Sequence, residues 1–298
     1  MEWCCQQASV SSKVTWFFVT ESSNPSSRSQ TPGSQVVESK YTFETITQRT
    51  VWLQDRLFSV HTTRRSGFNF APGQFARIGL KSQPDLAEPD VWRAYSMVNH
   101  PTEPELEFYC VVVPDGQFSP LLLKQAVGAP IWVERHPFGF LTLDRFTPAD
   151  TLWLVATGTG ISAFLPMLKA PEIWQQFKTV VLVHGVRTPD ELSYREQIEA
   201  LVVHQKNSPS GKLKYLPICS QTALKSASHK IGPSRITTLY ETDALTSLAD
   251  EPLNTAQSRI MLCGNPAMVT EMRSLLSLDG FAAGRRGVLG TLAVENYW

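Results

Sequence analysis

Residues 158–163 read Gly158-Thr159-Gly160-Ile161-Ser162-Ala163, a G-x-G-x-x-A spacing placed where an apolar run hands over to a helical pattern. Glycines there let backbone N–H groups approach a pyrophosphate, and a following helix start adds free N–H groups and a positive dipole end. The spacing alone also fits an ordinary strand-to-helix turn; the strand before it and the helix after it favour the nucleotide reading. The next strand ends at His184-Gly185-Val186-Arg187. Sites for NAD commonly place an acid about 20 residues beyond the loop, on the ribose 2′-hydroxyl. No acid ends this strand. Arg187 suits a 2′-phosphate, which favours NADP(H); the alternative is a surface arginine at a strand end.

A second group lies upstream. Arg93-Ala94-Tyr95-Ser96 combines a cation, an aromatic face and a hydroxyl within four residues of a predicted strand. On a pleated strand Arg93 and Tyr95 share one face, Ala94 and Ser96 the other. Downstream, Asp115-Gly116-Gln117-Phe118-Ser119-Pro120 predicts a helix start with Ser119 as N-cap and Pro120 at the first helical position, another place where a phosphate can be received. A plain strand and a plain capped helix would read the same way.

These residues need two kinds of scaffold. From Tyr41 to about residue 145 the sequence gives short strands with little helix between them, at 57–63, 75–80, 94–98, 106–113 and 131–134, separated by turn signals such as Pro72-Gly73. That pattern predicts an antiparallel β-barrel or sandwich. After Thr147-Pro148 continuous apolar runs, the sign of strands buried on both faces, alternate with helical stretches. Strands are expected at 151–156, 180–184, 213–219 and 260–263, and helices at 162–168, 192–203 and 267–276. The alternation predicts a doubly wound parallel sheet. The domains are therefore expected at 39–145 and 146–298, behind a Ser-rich, disordered leader at 1–38.

Composition narrows the classes. The chain has 298 residues, 42% hydrophobic and 18% charged, with 27 basic and 27 acidic residues. A balanced charge disfavours general nucleic-acid or anionic-membrane binding, and no apolar run approaches the ~18 residues that span a bilayer. Five cysteines without C-x-x-C spacing argue against a disulfide framework, a zinc site or a bound iron–sulfur cluster, and fit a reducing cytoplasm. The six histidines lack H-E-x-x-H spacing, and there is neither a G-x-S-x-G elbow nor a G-x-x-x-x-G-K-[ST] loop. No metal is expected, and nothing demands more than a monomer.

Taken in order, six stretches resemble the bacterial members of the ferredoxin–NADP reductase family: Arg93-Ala94-Tyr95-Ser96; Phe108-Tyr109 through Val113; Gly116 to Ser119; Ala156-Thr157-Gly158-Thr159-Gly160; Cys263-Gly264-Asn265-Pro266; and Glu295-Asn296-Tyr297-Trp298. The resemblance runs from about Lys40 to Trp298. It implies a FAD-binding antiparallel barrel followed by an NADP-binding α/β domain, with ferredoxin or flavodoxin as partner. Arg93 and Ser119 would meet the FAD pyrophosphate. Tyr95 would stack on the isoalloxazine with Ser96 near its N5, while Tyr109 and Val111 would run beside the ring and ribityl chain. Ala94, Gly116 and Phe118 complete that site. Gly158, Thr159 and Gly160 would carry the nucleotide, with Arg187, Ser220 and Arg235 at the 2′-phosphate. Thr157 and Cys263 would border the nicotinamide, and Glu295 would place a carboxylate near hydride transfer. Tyr297 would cover the second flavin face, yielding when the nicotinamide arrives, and Trp298 would lie near the adenine. Ser96, Cys263, Glu295 and Tyr297 are the candidate catalytic residues.

Two positions depart from the family pattern. Ser-Arg after the third α/β strand is here Ser220-Gln221, so one cation is missing; Arg187 and Arg235 remain, with Lys230 in an insertion. The helix after the glycine loop commonly carries proline at its third position, where this chain has Ala163, and Pro166 follows, predicting a kinked or displaced helix start. Without cysteines for a cluster, electrons must leave to another molecule. The competing expectations are a flavin reductase component serving an oxygenase and a non-catalytic FAD-binding protein.

Overall fold

The computed structural model describes residues 39–206, 208, 211–225, 230–285 and 287–296. The expected leader, and Tyr297 and Trp298, lie outside them.

Strands β1 (Tyr41–Leu53), β2 (Leu57–Thr62), β3 (Phe75–Leu80), β4 (Val91–Ser96), β5 (Leu106–Val111) and β6 (Pro130–Glu134) form one antiparallel sheet in the order β4-β3-β6-β1-β2-β5. The two edges approach closure: Met97 bridges Phe108, and the Val98 N–H donates to the Glu107 carbonyl at 2.9 Å. β1 can be long because its register slips between Ile46 and Gln48 and again between Val51 and Leu53. Such slips bend a strand, letting its first part pair with β6 and its second with β2. Ile46, Phe58, Ile78, Phe108 and Val133 fill the interior. A short helix, α1 (Ser119–Leu123), crosses between β5 and β6.

β7 (Thr151–Thr157), β8 (Thr179–Val186), β9 (Lys212–Cys219), β12 (Ser258–Gly264) and β13 (Leu292–Asn296) form a parallel sheet ordered β13-β12-β7-β8-β9. A small hairpin, β10 (Leu224–Lys225) and β11 (Lys230–Ile231), interrupts the return from β9. Helices α2 (Leu165–Lys169), α3 (Pro171–Gln176), α4 (Arg195–Lys206), α5 (Ile236–Glu241), α6 (Ala244–Ala249) and α7 (Pro266–Leu278) cover its faces. The central strands are buried throughout, and their alternate residues feed two cores. Leu152, Leu154, Leu182 and Met261 enter one; Trp153, Val155, Val183 and Leu262 enter the other. The first core continues into the barrel through Leu57, Val98 and Tyr109.

After β9 the chain returns to the far side of β7. Chain order therefore reverses between β7 and β12, and the loops leaving their carboxyl ends diverge, opening the crevice in which α/β sheets hold ligands.

Several boundaries differ from expectation. β4 begins at Val91 and ends at Ser96 rather than spanning 94–98, because Met97 and Val98 are taken by the barrel seam. Ser119 is not an N-cap. Phe118 holds the cap position, Ser119 sits inside the first turn, and its Oγ accepts from the Val113 N–H at 2.9 Å. The helix expected at 162–168 is a 3₁₀ segment, Gly158–Ala163, followed by α2, whose first turn contains Pro166. Proline, lacking an N–H, is tolerated there, and it displaces the α-helix start to Leu165. α4 begins at Arg195, not 192, since a 3₁₀ turn at Pro189–Glu191 and a left-handed Tyr194 (φ +62°) precede it. α3, α5, α6, β13 and the small hairpin had no counterpart among the expected elements.

Candidate active site

Two cavities lie at the carboxyl edge of the parallel sheet. The smaller, about 440 Å³, is walled by Arg93, Ala94, Tyr95 and Ser96 of β4, by Tyr109 and Val111 of β5, and by the loop from Val113 to Ser119. Gly160, Ser162 and Gly264 close it from the α/β side. β4 ends at the barrel seam, so residues of both its faces reach the opening. Arg93 is exposed, its Nη1 donating to the Trp92 carbonyl at 2.8 Å. The Tyr95 ring lies 5.8 Å from that of Phe118, and burial, with Cys110 beside it, holds the Tyr95 phenol well above its ordinary range. Tyr109 is buried, and its hydroxyl donates across to Ser193 Oγ at 2.8 Å.

The larger cavity, about 750 Å³, is centred on the glycine turn. Gly158 has φ +54°, and a Cβ there would meet open space. Gly160 and Gly264 are the opposite case. A Cβ on Gly160 would come 2.5 Å from the Cys263 carbonyl oxygen, and one on Gly264 (φ +129°) 2.4 Å from Thr157 Oγ1. Only glycines let the two diverging loops cross this closely. Thr157 Oγ1 also accepts from the Asn265 N–H at 2.8 Å, and Asn265 Oδ1 caps α7 by accepting from Ala267 N at 2.9 Å.

His184 sits beneath the turn, fully buried, with Nε2 3.1 Å from the Gly158 carbonyl. A carbonyl only accepts, so Nε2 carries the proton; burial pushes the imidazole down to about 4 and keeps it neutral. Arg187, Ser220 and Arg235 line the far end. Arg187 Nε is 3.2 Å from Glu191 Oε1, and the same oxygen lies 2.8 Å from Nη2 of Arg56, on the β1–β2 turn. Arg235 pairs with Glu271 at 3.0 Å.

The segment carrying Glu191 is moored to the barrel. The Tyr194 hydroxyl donates to Glu107 Oε1 at 2.7 Å, and its ring lies 4.4 Å from Trp52 and 5.2 Å from Tyr109.

The cavities share two walls, Val111 and Thr159. Thr157, Gly158, Arg187, Ser220 and Arg235 thus stand in one, and the group from Arg93 to Ser119 with Gly160 in the other. Cys263 and Glu295 line neither. Cys263 is fully buried, its thiol held protonated by burial first and then by Glu295, which faces it across the β12–β13 ladder. A Cβ on Gly139 would lie 2.8 Å from Glu295 Oε1, so that carboxylate sits over the barrel loop. Sequence reading missed Arg56, Glu191, Ser234 and Thr237, and carried Asn265 only within the Cys263–Pro266 stretch. Arg187 and Glu191 stand four apart, a spacing that could have signalled their pairing; nothing in the sequence signals Arg56.

The residues present fit two dinucleotides. In the smaller cavity, Arg93 and the ring of Tyr95 are two apart on β4, matching a phosphate and a flat aromatic ring. Among the described residues, the N–H groups of Gln117, Phe118 and Ser119 meet no acceptor in the protein. In the larger, Thr237 is 1% exposed, and its hydroxyl finds no hydrogen-bond partner. A buried orphan hydroxyl in a cavity lined by three arginines is a donor set that a phosphorylated ligand would complete.

A parallel sheet with a glycine turn at its switch point, joined to an antiparallel barrel with its own cavity, defines a dinucleotide-dependent oxidoreductase. In agreement, residues 154–274 match the family described as the oxidoreductase NAD-binding domain. The chain is 36% identical over 259 residues to ferredoxin–NADP reductase A of Sorangium cellulosum, covering 86% of this chain and 89% of that protein. It is also 36% identical over 246 residues to the flavodoxin/ferredoxin–NADP reductase of Escherichia coli K12, covering 82% and 94%. A ferredoxin NADP⁺ reductase from Neisseria gonorrhoeae, crystallised with FAD and NADP, superposes with a TM-score of 0.80 at 31% identity, covering 88% of this chain and all of that one. The chain belongs to the ferredoxin–NADP reductase family.

Proposed function

We propose that this protein is an FAD-dependent reductase that exchanges electrons between NADP(H) and a separate ferredoxin or flavodoxin. The observation that carries the reading is the shared wall: Val111 and Thr159 border both cavities, so ligands in the two would meet there. In this reading residues 39–145 hold FAD and residues 146–298 bring NADP(H).

When bound, the flavin would supply the chemistry, accepting a hydride and releasing electrons singly. The protein's residues bind and orient. Arg93 and the N–H groups of residues 117–119 would hold the FAD pyrophosphate, and Tyr95 would cover one ring face, with Ala94 and Ser96 at its edge. Ser96 is 5% exposed and Tyr109 is 1% exposed, which supports a water-poor reaction chamber. Across the shared wall, Gly158, Thr159 and Gly160 would carry the coenzyme diphosphate, and Thr157 would border the nicotinamide. Arg187, Ser220 and Arg235 would take the 2′-phosphate. Cys263 is assigned as a packing residue under that pocket, and Glu295 as a carboxylate behind it. Tyr297 would lie against the second flavin face and Trp298 near the adenine.

Cytoplasmic residence and a monomeric state belong to the same proposal. The three cysteines among the described residues are free thiols, and no described helix is long and apolar enough to cross a membrane.

Anaerobic addition of NADPH to the purified flavoprotein tests the reading. The yellow flavin band is expected to bleach, and to recover when oxidised ferredoxin or flavodoxin is added. A band that stays would leave a non-catalytic flavoprotein. Recovery with free flavin or an oxygenase but with neither protein carrier would make the chain a flavin reductase component.

A further inference from the structure

We propose that Arg56, on the barrel's first hairpin, is a specificity-determining residue for the 2′-phosphate of NADP(H), supplying the cation that Gln221 leaves out. The inference rests on the reading that the larger cavity receives that coenzyme. Three arginines and one acid line the cavity. Arg235 is matched by Glu271 at 3.0 Å. Arg56 and Arg187 instead converge on a single oxygen of Glu191, at 2.8 and 3.2 Å. Two cations on one carboxylate leave a surplus positive charge on the cavity wall, whereas every other lining cation is neutralised. Glu191 itself is 7% exposed, and its other oxygen accepts the Arg187 backbone N–H at 3.2 Å. The acid is thus fixed and cannot swing away, and with one arginine alone it would cancel the charge that a phosphate needs.

The position of Arg56 is also set before any ligand arrives. Its carbonyl accepts from the Val112 N–H at 2.8 Å, Leu57 beside it is buried in the α/β core, and Trp52 rests on Tyr194. The base of the side chain is thus fixed, Nη2 is buried with no hydrogen-bond partner although it lies 2.8 Å from Glu191 Oε1, and the planar fork of a guanidinium suits phosphate oxygens.

The test uses the FAD-loaded full chain and two probes that differ only by the phosphate in question, adenosine 2′,5′-bisphosphate and adenosine 5′-monophosphate, measured by calorimetry. R56Q is expected to bind the bisphosphate about tenfold more weakly, the worth of one charged contact, and the monophosphate unchanged. R56K, which keeps the charge without the fork, is expected to fall between. In steady state the KM for NADPH should rise in R56Q while that for NADH stays. Equal weakening of both probes would assign Arg56 to holding the hairpin and overturn the proposal, as would no change in either. Should R56Q fail to retain flavin, E191Q decides instead. Freeing both arginines of their carboxylate is expected to tighten the bisphosphate severalfold, and an unchanged or weakened affinity overturns the idea. Wild-type protein that binds neither probe would overturn the function reading itself and this inference with it.

Discussion

The 440 Å³ cavity is lined by the rings of Tyr95, Tyr109 and Phe118 with one arginine and no acid; the 750 Å³ cavity has three arginines, one glutamate and no aromatic ring. Aromatic burial is indifferent to salt and gives a large apolar contact. Charge–phosphate contacts are screened and reversible. The two linings therefore suit different tenancies, a resident cofactor in the barrel and an exchanging coenzyme beside it. On the proposed reading, one chain would keep one dinucleotide and exchange the other.

The comparison can be broken most severely at the rim where the cavities come together. Gly264→Ala drives a Cβ into Thr157, 2.5 Å from its carbonyl oxygen, at φ +129°. It is expected to lower folding stability by about 4 kcal/mol and to abolish bleaching by NADPH, read by urea unfolding and anaerobic spectra. A variant with normal bleaching would show that the loops need not cross so closely.

The next effect tests the larger cavity alone. His184 is buried neutral with its pKa pushed down to about 4 from an unfolded value of about 6.5. Between those values the unfolded chain binds the proton and the folded one does not. Stability is therefore complete above about pH 6.5, falls as the pH drops towards 4, and levels off below, by at most about 3 kcal/mol. His184→Gln is expected to flatten this slope in urea titrations from neutral to acid pH; an unaltered slope would place the titration elsewhere.

On the barrel side, Arg93→Ala is expected to weaken FAD retention by roughly 2 kcal/mol, thirtyfold or so, leaving the affinity for adenosine 2′,5′-bisphosphate unchanged. Loss at both sites would mean the cavities are not separable. The smallest effect is expected from Ser119→Ala, which removes the acceptor for the Val113 N–H. It should cost about 1 kcal/mol of stability and a few-fold in FAD affinity, both measured by thermal release of flavin.

Sequence patterning exposed most of this. β7, β8 and β12 are apolar on both faces, and only a doubly covered parallel strand reads that way. The glycine turn is legible because two loops must cross where no Cβ fits. Signals failed where structure is set from outside the local chain. Tyr194 adopts a left-handed backbone because Glu107, Trp52 and Tyr109 hold its side chain, and none of them lies near it in sequence. Arg56 reads as a hairpin-turn cation until the fold brings Glu191 against it. Short α5 and α6 escaped because Asp243 and Asp250, left-handed at φ +55° and +50°, bracket α6 without glycine.

Tyr194 has one more consequence. Its phenol, its ring and the neighbouring Ser193 each grip a different barrel residue. Peeling the sheets apart would part a carboxylate and three hydroxyls from their partners at once. Such a seam makes melting concerted: a calorimeter should record a single endotherm for residues 39–298, in place of two peaks marking barrel and sheet in turn.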